Sequence, residues 1–85
     1  MKRISGVYSG VTEHALSRAH DNDAPIREPT ELKRLYKAGE LEKKRAKYGK
    51  IAFVDRDRFV YVTDKKCSVL ITVLSWRKIP YVVWR

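Results

Sequence analysis

The stretch Lys50–Trp76, KIAFVDRDRFVYVTDKKCSVLITVLSW, decides the fold. It holds most of the chain's strongly β-forming residues. Two polar clusters, Asp55-Arg56-Asp57 and Asp64-Lys65-Lys66, divide it into the runs IAFV, RFVYV and CSVLITVL. β-branched and aromatic runs separated by short turn-prone clusters read as an antiparallel meander. Alternation puts Phe59 and Tyr61 on one side of the second run, and Val60 and Val62 on the other. In the third run both faces are largely apolar, so it is expected to be the central strand, with Thr72 among its few polar members and Cys67 a small core residue within it. A last strand is expected in IPYVVWR, with Pro80 near its start and Trp84 closing the core.

Working outward, the N-terminal half reads as helical. KRISGVY is a short strand or a lead-in, broken by Ser9-Gly10. Thr12 suits a helix N-cap, with Glu13 in the first turn where a carboxylate favours the helix dipole. Ala15, Leu16 and Ala19 then form an apolar stripe, while His14 and Arg18, four apart, share another side and His20 lies at the end. The proline-bearing segment DNDAPIREPT is a loop. A second helix is expected from Thr30, with Leu32, Leu35 and Tyr36 on one face and Gly39 ending or interrupting it. The run Lys43-Lys44-Arg45-Ala46-Lys47 is expected as a frayed helix end or a mobile basic arm. The predicted architecture is α+β: two N-terminal helices packed on a four-stranded antiparallel meander, in one domain spanning 1–85, helical over 11–47 and β over 50–85.

Composition limits the function classes. The chain has 85 residues, enough for one small domain. Nothing approaches the roughly 20 apolar residues that span a bilayer, and the N-terminus lacks the apolar core of a secretory signal, so a cytoplasmic protein is expected. One cysteine allows no internal disulfide. Nineteen Lys and Arg stand against ten Asp and Glu. The surplus is uneven: residues 31–50 carry eight basic and three acidic groups, and residues 51–85 carry seven and three. A field of this sign attracts polyanions, nucleic acid above all. Lys43, Lys44, Arg45, Lys47 and Lys50 are the expected phosphate contacts, and Tyr61 is a candidate for stacking on a base.

Phosphate-binding glycine loops and zinc ligand sets are absent from the sequence, and no cofactor or metal is expected. What remains is a His/Arg/Thr/Tyr/Lys set. RNA cleavage by attack of a 2′-hydroxyl needs a base, an acid and cations around a pentavalent phosphorane. Histidine supplies the proton transfers and arginine the clamp. His14 and Arg18, with Thr72 and Tyr61 from the sheet, fit those roles. An exposed amphipathic helix face would carry the same His/Arg pair.

The element order, with HALSR at 14–18, YGK at 48–50, FVYV at 59–62 and ITVL at 71–74, resembles the small ribonucleases of the barnase–EndoU–colicin–RelE group, most nearly the RelE-like proteins of bacteria and phages. The resemblance covers roughly residues 11–75. In that group a His and an Arg of the first helix and a Thr or Ser of a late strand often line the active cleft. It implies catalytic roles for His14, Arg18 and Thr72, with His20 as a second acid or base. It also implies a metal-independent, toxin-like endoribonuclease with RNA as ligand and an acidic antitoxin or host protein as partner. Some members of the group only bind, so a non-catalytic basic module, such as a phage-encoded modulator of a host nucleic-acid-associated protein, is the alternative. The C-terminal strand, aromatic and at the chain's end, is a candidate homodimer edge.

Overall fold

A computed structural model describes residues 8–76 and the short strand Val82–Val83. Two helices, α1 (Glu13–Asp21) and α2 (Pro29–Lys37), precede strands β1 (Glu42–Ala46), β2 (Ile51–Asp55), β3 (Phe59–Thr63), β4 (Leu70–Ser75) and β5 (Val82–Val83). Every strand pairing is antiparallel, in the order β4-β3-β2-β1-β5. The expected α+β arrangement of two helices and an antiparallel sheet is therefore present, but the strands are not all where the sequence reading put them.

Both helices end as their local sequence dictates. Thr12 is the N-cap of α1, its Oγ1 accepting from the Ala15 amide at 3.0 Å. At the other end Asp23 takes a left-handed φ of 53°, and the amides of Asp23 and Ala24 close on the carbonyls of His20 and Ala19. Helix α2 starts one residue before the expected Thr30, because Pro29 takes the first-turn position where a missing N–H costs nothing. Gly39, at φ 81°, ends it: the amides of Gly39 and Glu40 bond to the carbonyls of Tyr36 and Leu35.

That terminus explains the main correction. The basic run is neither a helix end nor a mobile arm. Residues Glu42 to Ala46 form β1 and pair with β2 in register from Glu42↔Val54 to Arg45↔Ile51. Glu, Lys, Arg and Ala are good helix formers, but propensity is a small preference that tertiary pairing overrides, and the open edge of β2 offers a full ladder of backbone partners. The C-terminal strand adds Val82 and Val83 alone, opposite Ala46 and Arg45. The rest of IPYVVWR, including Trp84, the greater part of KRISGVY and the proposed dimer edge lie outside the described residues.

The last run of the meander is the second correction. β4 is an edge strand of the sheet, not its centre. Its two apolar faces have another cause. A register shift opposite Val62/Thr63 puts Leu70 and Val73 into the cluster under the helices, with Ala15, Ala19, Leu32, Leu35, Phe53 and Tyr61. Leu74 packs on the opposite side of the sheet, against a cluster of Ala46, Ala52, Val54, Val60 and Val62. The outer edge of β4 is closed by the segment before α1: Val11 bridges Leu70 in parallel, and the Leu70 amide donates to the Gly10 carbonyl at 2.7 Å. Gly10 sits at φ 71°, and a Cβ there would lie 2.6 Å from the Ser68 carbonyl oxygen, so only glycine fits this approach. Cys67 is buried as expected but occupies the β3–β4 turn at φ 57°, not a strand.

That turn is organised by Asp64. Its carboxylate accepts from the Ser68 amide at 2.7 Å, the Val69 amide at 3.1 Å and the Ser68 hydroxyl at 2.9 Å. Desolvation works to raise its pKa, but those donors outweigh it and hold the carboxyl below the usual carboxylate range. A depressed native pKa means that the stabilisation is complete above the unfolded value of about 3.9 and is lost as pH falls through the native value. Urea midpoints measured from pH 6 to pH 2 are expected to fall for the native chain. Asp64→Asn is expected to start lower, by about 1–2 kcal/mol, and to show a shallower acid limb.

Candidate functional site

Helix α1 is pinned to β4 at both ends. At its start the Thr12 hydroxyl, buried, donates to the Ile71 carbonyl at 3.1 Å while its amide donates to the Leu70 carbonyl at 3.2 Å. At its end the Asn22 side-chain amide donates to the carbonyls of Arg18, at 2.8 Å, and Val73, at 3.3 Å. Ala15 and Ala19 are small enough to let the helix lie close to the strand, and both are buried. The helix thus runs along β4, with the side bearing His14 and Arg18 presented at the outer edge of the sheet.

There a groove of about 870 Å³ opens between α1, β4 and the β1–β2 turn. Among the described residues, His14, Arg18, Asp21 and Asn22 come from the helical side, Ile71, Thr72, Leu74 and Ser75 from β4, and Ala46, Lys47, Tyr48 and Lys50 from the turn and its flanks. The three residues His14, Arg18 and Thr72, separated by up to 58 positions in sequence, line one concavity. Strand alternation makes this possible, because Thr72 stands opposite Val62, a residue of the cluster on the far side of the sheet, and so faces away from the helical core. Arg18 lies 3.9 Å from Asp21, both well exposed, so the pair leaves the guanidinium facing solvent and adds little stability. Among the described lining residues Asp21 is the one carboxylate, beside Arg18, Lys47 and Lys50.

The other expected site residues divide. His20 is exposed but outside the groove lining, since six residues along a helix rotate it well away from His14. Lys47 and Lys50 reach the groove; Lys43, Lys44 and Arg45 do not. Lys43 lies over the Tyr36 ring on α2, 5.6 Å from its centroid, and Lys44 is 3.9 Å from the Glu42 carboxylate. Strand alternation separates them, an effect that a helical or unstructured run would not have. Tyr61 is not a stacking residue. It is fully buried beneath the helices and its phenol donates to the Pro25 carbonyl at 3.0 Å. Burial pushes its pKa up, against the opposing effect of Arg27.

The residue that the sequence reading missed is Tyr48. It is 85% exposed, the most exposed large apolar side chain described, and sits in the left-handed region at φ 63°, ψ 32°. A bulky aromatic residue in that region is strained. The strain is imposed by the hairpin, whose ends are tied by the Ala46 amide on the Lys50 carbonyl at 2.9 Å, with Gly49 left-handed as well. The Lys50 ammonium lies 5.4 Å from the centroid of the Tyr48 ring. An aromatic residue between two lysines and a glycine, YGK after Lys47, was the available signal.

Among the described residues no group of three or more His, Cys, Asp or Glu side chains is placed to hold a metal ion, and no helix is long and apolar enough to cross a membrane. No family model matches the chain, and neither the curated proteins nor the solved structures include a significant match to it.

Proposed function

We propose that the groove binds RNA and cleaves it without a metal ion, in the manner of the small ribonucleases that the sequence resembles. The observation that carries this reading is the joint lining by His14, Arg18, Thr72, Lys47 and Lys50. His14 takes the proton of a ribose 2′-hydroxyl, whose oxygen attacks the adjacent phosphorus. Arg18 and a lysine bind the equatorial oxygens of the phosphorane, where fixed cations do most for the transition state. Thr72 donates a hydrogen bond to a phosphate oxygen. A second ammonium, from Lys47 or Lys50, gives a proton to the departing 5′-oxygen. The products are a 2′,3′-cyclic phosphate and a 5′-hydroxyl.

The test is incubation of RNA with the pure protein in EDTA, with the new termini identified chemically. Cyclic phosphate ends support the proposal; intact RNA after prolonged incubation overturns it. The position of His20 outside the groove favours a second reading, binding without cleavage, because one imidazole then serves a reaction that uses an acid and a base. Both readings share an expected salt response. About three phosphate contacts on a single strand correspond to a slope near −2 in a plot of log affinity against log salt. A flat response measured by fluorescence anisotropy would remove RNA as the ligand of this groove.

A further inference from the structure

A second, smaller hollow of about 390 Å³ lies against the same hairpin. Among the described residues it is lined by Arg45, Gly49, Lys50, Ile51 and Lys65, together with Ala46. Ala46 and Lys50 line both concavities, so the two meet at the β1–β2 turn, whose tip carries the exposed Tyr48 ring. The topology accounts for the new cluster. Arg45 is paired with Ile51, and Ile51 with Thr63, so these three form one cross-strand row. Lys65 follows two residues beyond Thr63 in the exposed β3–β4 turn. Arg45 and Lys65, twenty positions apart, thereby converge beside Lys50, with no carboxylate among the described lining residues. The nearby Asp64 carboxylate is turned to the amides of its own turn.

From this arrangement we infer that the RNA held in the main groove is single-stranded, that it crosses the hairpin with one base stacked on Tyr48, and that it lodges a further phosphate between Arg45 and Lys65. This rests on the RNA reading above and names its substrate class. A phosphate hollow alone would accept either strand form. An exposed ring on the wall of one basic hollow and beside a second suits a base that is free to leave a helical stack, which a duplex does not offer. The ring needs no hydroxyl for this role. Tyr48 combines a left-handed backbone with a ring that is 85% exposed.

The experiment uses the full chain and labelled oligoribonucleotides of three and eight residues, the eight-residue strand also as a duplex. The wild type is expected to bind the single-stranded octamer at least ten-fold more tightly than the trimer or the duplex. Arg45→Gln and Lys65→Gln, both at exposed positions, are expected to remove that length-dependent gain, to lower the salt slope by about 0.7 each, and to leave trimer affinity unchanged. Tyr48→Asn, which tolerates the left-handed backbone, is expected to weaken the octamer about ten-fold, whereas Tyr48→Phe retains it. Equal affinity for duplex and single strand, an octamer gain that survives both glutamine variants, or a Tyr48→Phe loss as large as that of Tyr48→Asn would overturn the inference while leaving RNA binding in place. A wild type that binds neither oligonucleotide would overturn the RNA reading and this inference together.

Discussion

His14→Ala is expected to lower RNA cleavage by about two to four orders of magnitude, the usual contribution of a positioned acid or base, while leaving the fold intact. The separation of the two effects follows from where the residue sits. His14 is exposed on α1, and the buried side of that helix is formed by Ala15 and Ala19. Thermal midpoints of wild type and variant are therefore expected to agree within about 0.5 kcal/mol of stability. His20 supplies the internal control. It is on the same helix and equally a histidine, but it does not line the groove. His20→Ala is expected to keep wild-type cleavage. A His14→Ala chain that cleaves at the wild-type rate would remove the catalytic role. Combined with retained, salt-sensitive binding, that result would make the groove a binding site alone. If both histidine variants lose activity together with stability, the helix rather than the imidazole has been disturbed, and circular dichroism distinguishes that case.

Thr12→Val is expected to destabilise the chain strongly, although it is a conservative substitution. Valine has nearly the shape of threonine, so the change leaves little cavity and isolates the hydroxyl. That hydroxyl does two things. It caps the helix at the Ala15 amide, and it donates to the Ile71 carbonyl in a buried setting. Losing a cap costs about 1 kcal/mol, and leaving a buried carbonyl without its donor costs about 1–3 kcal/mol more. In a domain of this size the sum, about 2–4 kcal/mol, corresponds to a fall in melting temperature of roughly 8–30 °C. Thr12→Ser keeps both bonds and is expected to recover most of the loss. The consequence reaches function, since Thr12 and Asn22 are what hold α1 along β4. RNA binding by Thr12→Val, measured well below its melting temperature, is expected to weaken although residue 12 does not line the groove. A variant melting within about 3 °C of wild type would show that the parallel bridge at Val11 suffices to seat the helix.

Much of the fold was legible because its signals are local. Thr12 before an Ala/Leu stripe is a cap and a helix whatever follows. Asp55-Arg56-Asp57 and Asp64-Lys65-Lys66 are turns because they interrupt β-branched runs, and both are turns in the structure. The errors arose where local preference is weak and the partner decides. Glu42-Lys-Lys-Arg-Ala46 has no apolar stripe, so it adopts the conformation that a waiting sheet edge rewards, and becomes β1. CSVLITVL is apolar on both faces because a helical layer covers one and a second cluster covers the other, which an edge strand satisfies as well as a central one.

The site shows the same division. Sequence alone determined that His14 and Arg18 share a helix side, because four residues make about one helical turn, and that the basic surplus is concentrated before and within the meander. It could not say which lysines face which way, since strand alternation and helical rotation sort the same run differently. Tertiary structure decided that Lys47 and Lys50 join His14, Arg18 and Thr72, that His20 does not, and that Tyr61 is core while Tyr48 is surface. The physical reason is that a groove is formed by packing between elements far apart in the chain. The small buried faces of Ala15 and Ala19, the hydrogen bonds of Thr12 and Asn22 to β4, and the alternation of that strand set its position.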